Sequence, residues 1–421
     1  MRRQAVATGP LFRGLSIHEL LRTRGIVTYF QPIVSARQRS IVGLEALSRG
    51  VGADSGVIAP RAIFSAADEA GLIDDLDQLC RQQAVRAFSG LSADMGDHML
   101  FLNLHVPVDQ TPAALANEID ELVTMAGLGP RSLAIEILEA EIQDMGQVRS
   151  LVNLLRSRGF LIVLDDVGSG HSNLDRIPFI KPDLLKVDRT LISRIDTDYH
   201  KRGTLKSLVD LGRKIGALVV AEGVETEGEA MVALELGADL LQGFCFGRPN
   251  EAAFMRREGL SDALERLEAL TTGFRGYMVG KINERRLQHR RLNVVLNQIL
   301  YDLTGADVSQ FDGILAGSVG KYPSVECVYV LDHAGIQVTD TVCNPSIRRR
   351  EHGAIFRPAP RGTDHSLKEY YYSLLDVEPD KHTTDPYVSL ASGSISQTIS
   401  THFRDTRSNT TYVLCIDVLC S

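Results

Sequence analysis

Leu161-Ile162-Val163-Leu164-Asp165-Asp166-Val167-Gly168-Ser169-Gly170 consists of four apolar residues, two adjacent carboxylates and a glycine-spaced loop. A continuous apolar run of this length reads as a strand buried on both faces, as in a parallel sheet. The same pattern recurs upstream. Ile41-Val42-Gly43-Leu44 ends in Glu45, Met99-Leu100-Phe101-Leu102 in Asn103, and Leu133-Ala134-Ile135 in Glu136. Downstream, Leu184-Leu185 leads into Lys186-Val187-Asp188, Leu218-Val219-Val220-Ala221 ends in Glu222, and Leu240-Leu241 ends in Gln242. Amphipathic stretches such as Val148–Arg158 and Leu205–Ile215 lie between, each followed by a glycine, Gly159 or Gly216, placed to cap a helix. Strand and helix alternating over about 250 residues predict an α/β fold, a TIM-like (β/α) barrel. In that fold the C-terminal strand ends share one mouth, so polar side chains far apart in sequence would face one another there.

The chain has 421 residues, 44% of them hydrophobic, which is enough for more than one core. Its predicted division is a barrel over 1–257, a connecting helical segment over 258–310 and a smaller regulatory domain over 311–421. The formal net charge of −8 gives no reason to expect duplex nucleic acid as a partner, since neutralising phosphates takes a basic surface. Apolar stretches such as Ala217–Ala221 are far too short to span a bilayer, and the basic N-terminal MRRQAVATGPLFRGL lacks the apolar core of a signal peptide. The reading expects a cytoplasmic protein without a membrane partner. The six cysteines, Cys80, Cys245, Cys327, Cys343, Cys415 and Cys420, form no CxxC pair and are expected to be reduced.

A mouth carrying several acids and an asparagine is electrostatically untenable without compensation, because close like charges cannot all stay ionised. Hard oxygen donors without neighbouring Cys or His point to Mg²⁺ or Mn²⁺, and a cluster this rich suits two ions. Lys186 and Asp188, two apart on a strand, would project from one face. The lysine could hold an attacking water or stabilise charge on a phosphoryl transition state; its plainer role is an ion pair with Asp165 or Asp166.

These residues also resemble a known family. Glu45-Ala46-Leu47-Ser48-Arg49, preceded by Tyr29-Phe30-Gln31-Pro32-Ile33, looks like the signature of EAL-domain cyclic di-GMP phosphodiesterases. The match is specific because the other elements follow in order: Asn103 in LNLH, Glu136 to Glu139 in EILE, DDVGSGHS at 165–172, Lys186-Val187-Asp188-Arg189, EGVE at 222–225, then Gln242-Gly243-Phe244 and Arg248-Pro249. The resemblance spans residues 10–255. It implies that Glu45, Asn103, Glu136 and Asp165 ligate one metal, and that Asp165, Asp166 and Glu222 serve a second. Glu45, Lys186, Glu222 and Gln242 would carry catalysis, with Lys186 orienting the attacking water. Gln31, Leu47, Arg49, Asp188, Gln242 and Pro249 would contact the dinucleotide. Gly168, Ser169 and Gly170, with Glu139 and Glu225, would couple a mobile loop to metal geometry and a homodimer. The implied reaction opens cyclic di-GMP in line to linear 5′-pGpG, the 3′ oxygen leaving. Val167, Ser169, Leu138 and His105 depart from the family pattern beside the site. The alternative is a receptor that binds cyclic di-GMP without hydrolysis. An enolase-like barrel would explain the acids but not EGVE or QGF. No GGDEF-like stretch is present.

Residues 258–310 read as helix, with basic Lys281–Arg291 suited to a solvated face. Beyond Ser324, strands are predicted at Cys327–Leu331, Ile336–Thr339, Ser394–Ser400 and Tyr412–Val418, the first two forming a hairpin through Asp332–Gly335. This small α+β region resembles PAS- or Cache-like sensory modules, which implies an unidentified small ligand or dimerisation. The spacing of His333, His352, His365, His382 and His402 fits no metal or haem motif.

Overall fold

A computed structural model describes residues 16–52, 56–95, 98–138, 144–170, 174–347, 355–375, 381–407 and 409–420, with the side chains of 92–95 excepted. The chain divides into two compact units, Met1–Val279 and Gly280–Ser421.

The first unit is a closed eight-stranded barrel. Its strands are β1 (Ile26–Ser35), β2 (Ser40–Val51), β4 (Met99–Leu104), β5 (Leu133–Leu138), β6 (Leu161–Val167), β7 (Leu184–Val187), β8 (Leu218–Ala221) and β9 (Leu240–Gln242), while β3 (Val57–Ile58) and β10 (Asn250–Glu251) extend it at β2 and β1. The seven runs ending in polar residues are the seven parallel strands. The eighth, β1, runs antiparallel to both neighbours, β2 and β9. Sequence reading did not place it in the series, because Pro32 sits mid-strand and proline argues against a central strand. Pro32 is accommodated because it falls between two pairings on one side of β1: β10 pairs Phe30 and Tyr29, and β9 pairs Ile33 and Val34.

Residues of one strand alternate between two environments. Leu100, Leu102, Ile135, Ile162, Leu164 and Leu185 belong to the large core shared with the surrounding helices. Ile33, Phe101, Ala134, Val163, Leu184, Val220 and Leu240 form a separate apolar cluster, the packed filling of the barrel. Gly159 and Gly216 end the helices before β6 and β8 at φ 100° and 78°, as their spacing predicts. Asp144 and Asp198 cap those helices at their starts through backbone N–H groups.

Helix Leu260–Thr304 buries Ala263, Leu267 and Leu270 in the first unit's core, and Val295, Leu296, Ile299 and Leu303 in that of the second. The second unit is an antiparallel sheet in the order β12-β11-β16-β15-β13, with β14 also on β15. These are β11 (Val325–Leu331), β12 (Val342–Cys343), β13 (Lys381–Thr383), β14 (Tyr387–Val388), β15 (Ile395–Arg404) and β16 (Thr411–Leu419). The predicted partner at Ile336–Thr339 forms only isolated bridges, Leu331 to Gln337 and Ile336 to Asp364. There the Thr339 hydroxyl, rather than a backbone carbonyl, accepts the Val330 N–H at 3.0 Å, so a side chain replaces a ladder bond. All six cysteines are free. Among the described residues, no helix is long and apolar enough to cross a membrane.

Candidate active site

The site stands one layer above the barrel's apolar filling. Phe101, Ala134, Val163, Leu184, Val220 and Leu240 lie two residues before Asn103, Glu136, Asp165, Lys186, Glu222 and Gln242. Period-two alternation therefore turns the site residues inward over the filling. Glu45 of β2 pairs with Gln31 of β1. Because β1 runs the other way, Gln31 precedes its filling residue, Ile33, instead of following it.

Lys186 is the hub. Its Nζ lies 2.6 Å from Glu222 Oε1, 2.7 Å from Glu136 Oε1, and 3.4 Å from both Glu45 Oε2 and Asp165 Oδ1. The ammonium is only 1% exposed. Burial opposes its charge, yet Asp165, Glu136, Glu222 and Glu45 together hold its pKa well above the ordinary value. Burial raises the Glu136 and Glu222 carboxyls well above the usual range, against the pull of Lys186. Asp165 is raised by burial as well. Of the plainer sequence reading, an ion pair to Asp165 or Asp166, the Asp165 pair is present as one of four contacts and Asp166 is not among them.

Adjacent residues of a regular strand face opposite ways, yet Asp165 and Asp166 both reach the mouth. The register between β6 and β7 shifts between Leu164 and Val167, and Asp166 takes a left-handed φ of 58°. The irregularity re-aims the second carboxylate. Asp165 Oδ1 accepts the Asp166 N–H at 2.9 Å. Burial, then Asp165 and Asp188, push Asp166 up to about 6. Carboxylate oxygens of Asp165, Asp166 and Glu222 lie within 4.8 Å of one another.

Gln242 donates from Nε2 to Glu45 and, at 3.3 Å, to Gln31 Oε1. Gln31 in turn donates to the Gly247 carbonyl at 2.9 Å. Asn103 Nδ2 approaches Glu45 Oε1 at 3.4 Å. Glu136 Oε2 and Gln242 Oε1 are buried with no hydrogen-bond partner among the described residues. Orphaned hard oxygens beside three convergent carboxylates fit divalent cations of the Mg²⁺, Mn²⁺ or Ca²⁺ kind.

The mouth is a cavity of about 270 Å³, and Gln31, Glu45, Leu47, Asp165, Asp166, Lys186, Glu222, Glu225 and Gln242 line it. Asn103 and Glu136 are not on that wall but reach Glu45 and Lys186 directly. Arg49 also stands off it, with Nη1 2.9 Å from the Ser48 carbonyl and its guanidinium 5.5 Å from the Tyr29 ring centre. Asp188 caps the short helix Arg189–Ile192, accepting the Thr190 N–H at 2.9 Å. Pro249 is half-buried just before β10. Gly168, Ser169 and Gly170 follow β6, and Ser169 N–H donates to the Asp166 carbonyl at 3.1 Å. Glu139, His171, Ser172 and His352 lie outside the described residues.

Besides two glycines, Gly223 and Gly243, two lining residues had no assigned role in the sequence reading, Arg189 and Phe244. Arg189 bridges to Glu225 at 2.8 Å, and Phe244 carries the Arg248 guanidinium 4.3 Å from its ring centre. Their signal was present, since each ends a quoted motif, KVDR and QGF.

Residues 15–249 match the EAL domain family. The cyclic di-GMP phosphodiesterase RocR of Pseudomonas aeruginosa is 32% identical over 224 residues, 52% of this chain and 56% of RocR. The probable cyclic di-GMP phosphodiesterase PdeG of Escherichia coli is 28% identical over 232 residues, 53% of this chain and 44% of PdeG. The chain spans between 28% and 56% of the length of the curated relatives it matches. The crystal structure of Bacillus subtilis YkuI, which has an EAL domain and is in complex with substrate c-di-GMP and calcium, superposes with a TM-score of 0.74 at 25% identity, covering 97% of this chain and 100% of YkuI. With the ordered motifs converging on one barrel mouth and the match covering 15–249, this chain belongs to the EAL domain family.

Proposed function

We propose that the chain hydrolyses cyclic di-GMP to linear 5′-pGpG in a reaction that requires two divalent cations, Mg²⁺ or Mn²⁺. The observation that carries this reading is the ring of Glu45, Glu136, Asp165 and Glu222 around Lys186 at the mouth of the barrel. Relatives named as cyclic di-GMP phosphodiesterases and the substrate-bound YkuI complex support the choice of substrate.

Glu45, Asn103, Glu136, Asp165, Asp166 and Glu222 would hold the cations, which supply Lewis acidity toward a phosphate oxygen and toward water. Gln242 spends its amide protons on Glu45 and Gln31, so its unpartnered Oε1 is free to accept a proton of the attacking water and orient it. Lys186, held protonated by its carboxylates, would donate to that water or to charge building on phosphorus oxygens. Its four contacts place the ammonium where the carboxylates converge, and the lysine itself is buried. Gln31, Leu47, Arg49, Asp188 and Pro249 would position the nucleotide. Gly168, Ser169, Gly170, Glu139 and Glu225 would link loop state to the site and to a homodimer. Residues 1–257 form the catalytic part in this reading, 258–310 a connecting segment, and 311–421 a PAS- or Cache-like regulatory part, in a cytoplasmic protein.

The test is incubation of the purified chain with cyclic di-GMP and Mg²⁺ or Mn²⁺, with chromatography for pGpG. Product that disappears on chelation supports the proposal. Saturable binding without product selects the non-hydrolysing receptor, a reading kept open by Val167 at the end of β6 and Ser169 in the loop after it.

A further inference from the structure

The sheet of the C-terminal unit has two unlike faces. Val328, Val330, Leu414 and Ile416 pack into the core formed with the helices. The alternate residues Cys327, Tyr329 and Asp417 line a cavity of about 740 Å³, whose wall lies wholly between residues 327 and 417. That volume suits a small organic ligand.

Asp417 lies in this wall at 5% exposure. Its Oδ1 accepts from the Thr398 hydroxyl at 2.7 Å and its Oδ2 from the Cys327 thiol at 3.1 Å. Among the described residues no Lys, Arg or His forms an ion pair with it. A buried carboxylate supplied with neutral donors and no cation is costly unless a cation arrives from outside.

The proton directions around it can be assigned. Gln337 Nε2 donates to the Thr339 and Ala359 carbonyls and to the Thr341 hydroxyl at 2.9, 3.1 and 3.0 Å. Its Oε1 therefore accepts from His365 Nε2 at 2.9 Å. Burial pushes His365 down to about 4, so the ring is neutral near pH 7 and its Nδ1 is an acceptor. The Tyr370 hydroxyl, 2.6 Å away, must donate to it. Thr398 spends its proton on Asp417, so the Tyr387 hydroxyl at 2.6 Å donates to Thr398. The Tyr329 ring meets the Tyr370 ring edge-on, their centroids 6.2 Å apart. The Tyr370 and Tyr387 protons are thus committed within the protein, and those two oxygens, with Asp417, are left as acceptors. Thr384 and Ser389 add neutral hydroxyls that serve either role. At the exposed rim, Arg357 and Lys368 are outnumbered by Asp364, Glu369 and Asp385.

An acceptor surface with a carboxylate among aromatic rings repels anions and leaves its charge unpaired against a neutral ligand. We propose that this cavity binds a small organic ammonium ion, with Asp417 as charge partner and Tyr329, Tyr370 and Tyr387 as its aromatic wall. Aromatic rings add cation–π attraction to the ion pair. The site is independent of the barrel's proposed reaction and stands whether or not the barrel turns over.

Isothermal titration calorimetry on the full chain at about pH 7.5, about a unit above ordinary histidine titration and about three above that of carboxylates, tests it. The probes are benzylammonium, benzyltrimethylammonium, the neutral isostere benzyl alcohol and the anion benzoate. At least one ammonium probe is expected to saturate a single site, with benzyl alcohol at least about tenfold weaker and benzoate silent. Asp417→Asn should weaken the ammonium probe by about tenfold or more, and Tyr387→Phe by several-fold. Failure of both ammonium probes to bind, equal binding of benzyl alcohol, or unchanged affinity in a folded Asp417→Asn chain would overturn the proposal. The alcohol comparison uses the parent protein, so it decides even if a variant fails to fold.

Discussion

At the scale of single residues, the site turns on a charge imbalance. Lys186 faces four carboxylates and is itself buried among them. Replacing it with alanine leaves buried acids uncompensated. The metal-free protein should lose about 3–5 kcal/mol in urea unfolding, part of it regained on adding Mg²⁺ or Mn²⁺. Turnover should fall by about a hundredfold or more, with some dinucleotide binding retained. Glu45→Ala removes a proposed direct ligand. Since changes one shell further out already cost about 10–100-fold in metal affinity or activity, its turnover should fall below detection in the pGpG assay. Asp417 gives a pH dependence of definite sign. Burial pushes it up to about 6 in the folded chain, against an unfolded value of about 3.9. Between those values the folded state holds a proton that the unfolded state has released, so stability is lost as pH rises from about 4 to 6 and is level above that. Asp417→Asn should remove this slope from the C-terminal unit's unfolding transition, measured by denaturation across that range. The identities of the ring residues were legible in the sequence because each ends an apolar run. Lys186 as a four-way hub was not, since spacing shows a shared strand face but not which acids meet across a barrel.

At the scale of elements, legibility followed hydrophobic patterning. The seven parallel strands announced themselves as unbroken apolar runs, while β1 hid behind Pro32, and the gap that excuses the proline depends on β9 and β10 more than 200 residues away. The bend at Asp165-Asp166 was likewise invisible, because adjacent acids look like alternating ones until register is known. The hairpin at 336–339 failed for a related reason, with Thr339 satisfying Val330 through its side chain. Phe101 links element to site, being fully buried in the filling two residues before Asn103. Phe101→Ala should cost roughly 3–5 kcal/mol in denaturant unfolding. It should also weaken Mn²⁺ binding in calorimetry, because the carboxylate ring rests on that layer.

At the scale of the whole molecule, two cores share one helix. Cutting the chain after residue 310 removes Phe311, Leu315, β11, β15 and β16, and exposes Val295, Leu296, Ile299 and Leu303 on the remaining helix. That truncation should form large aggregates in analytical ultracentrifugation, whereas one ending at Val279 should sediment no larger than the proposed homodimer and keep pGpG production. A difference in specific activity between the latter and the full chain would measure regulation directly. The length and the change in texture beyond Ser324 made a second domain legible. Its concave polar face was not, because Asp417, Thr398 and Cys327 come from three different strands.

The enclosed ammonium of Lys186 has one more consequence. It serves the barrel as an internal ballast, a positive charge carried by the chain itself from the moment of folding. A chain folding where divalent ions are scarce would already hold these carboxylates together through the lysine. Loading would then add positive charge beside one already in place, and the carboxylates would not have to be gathered by the metals.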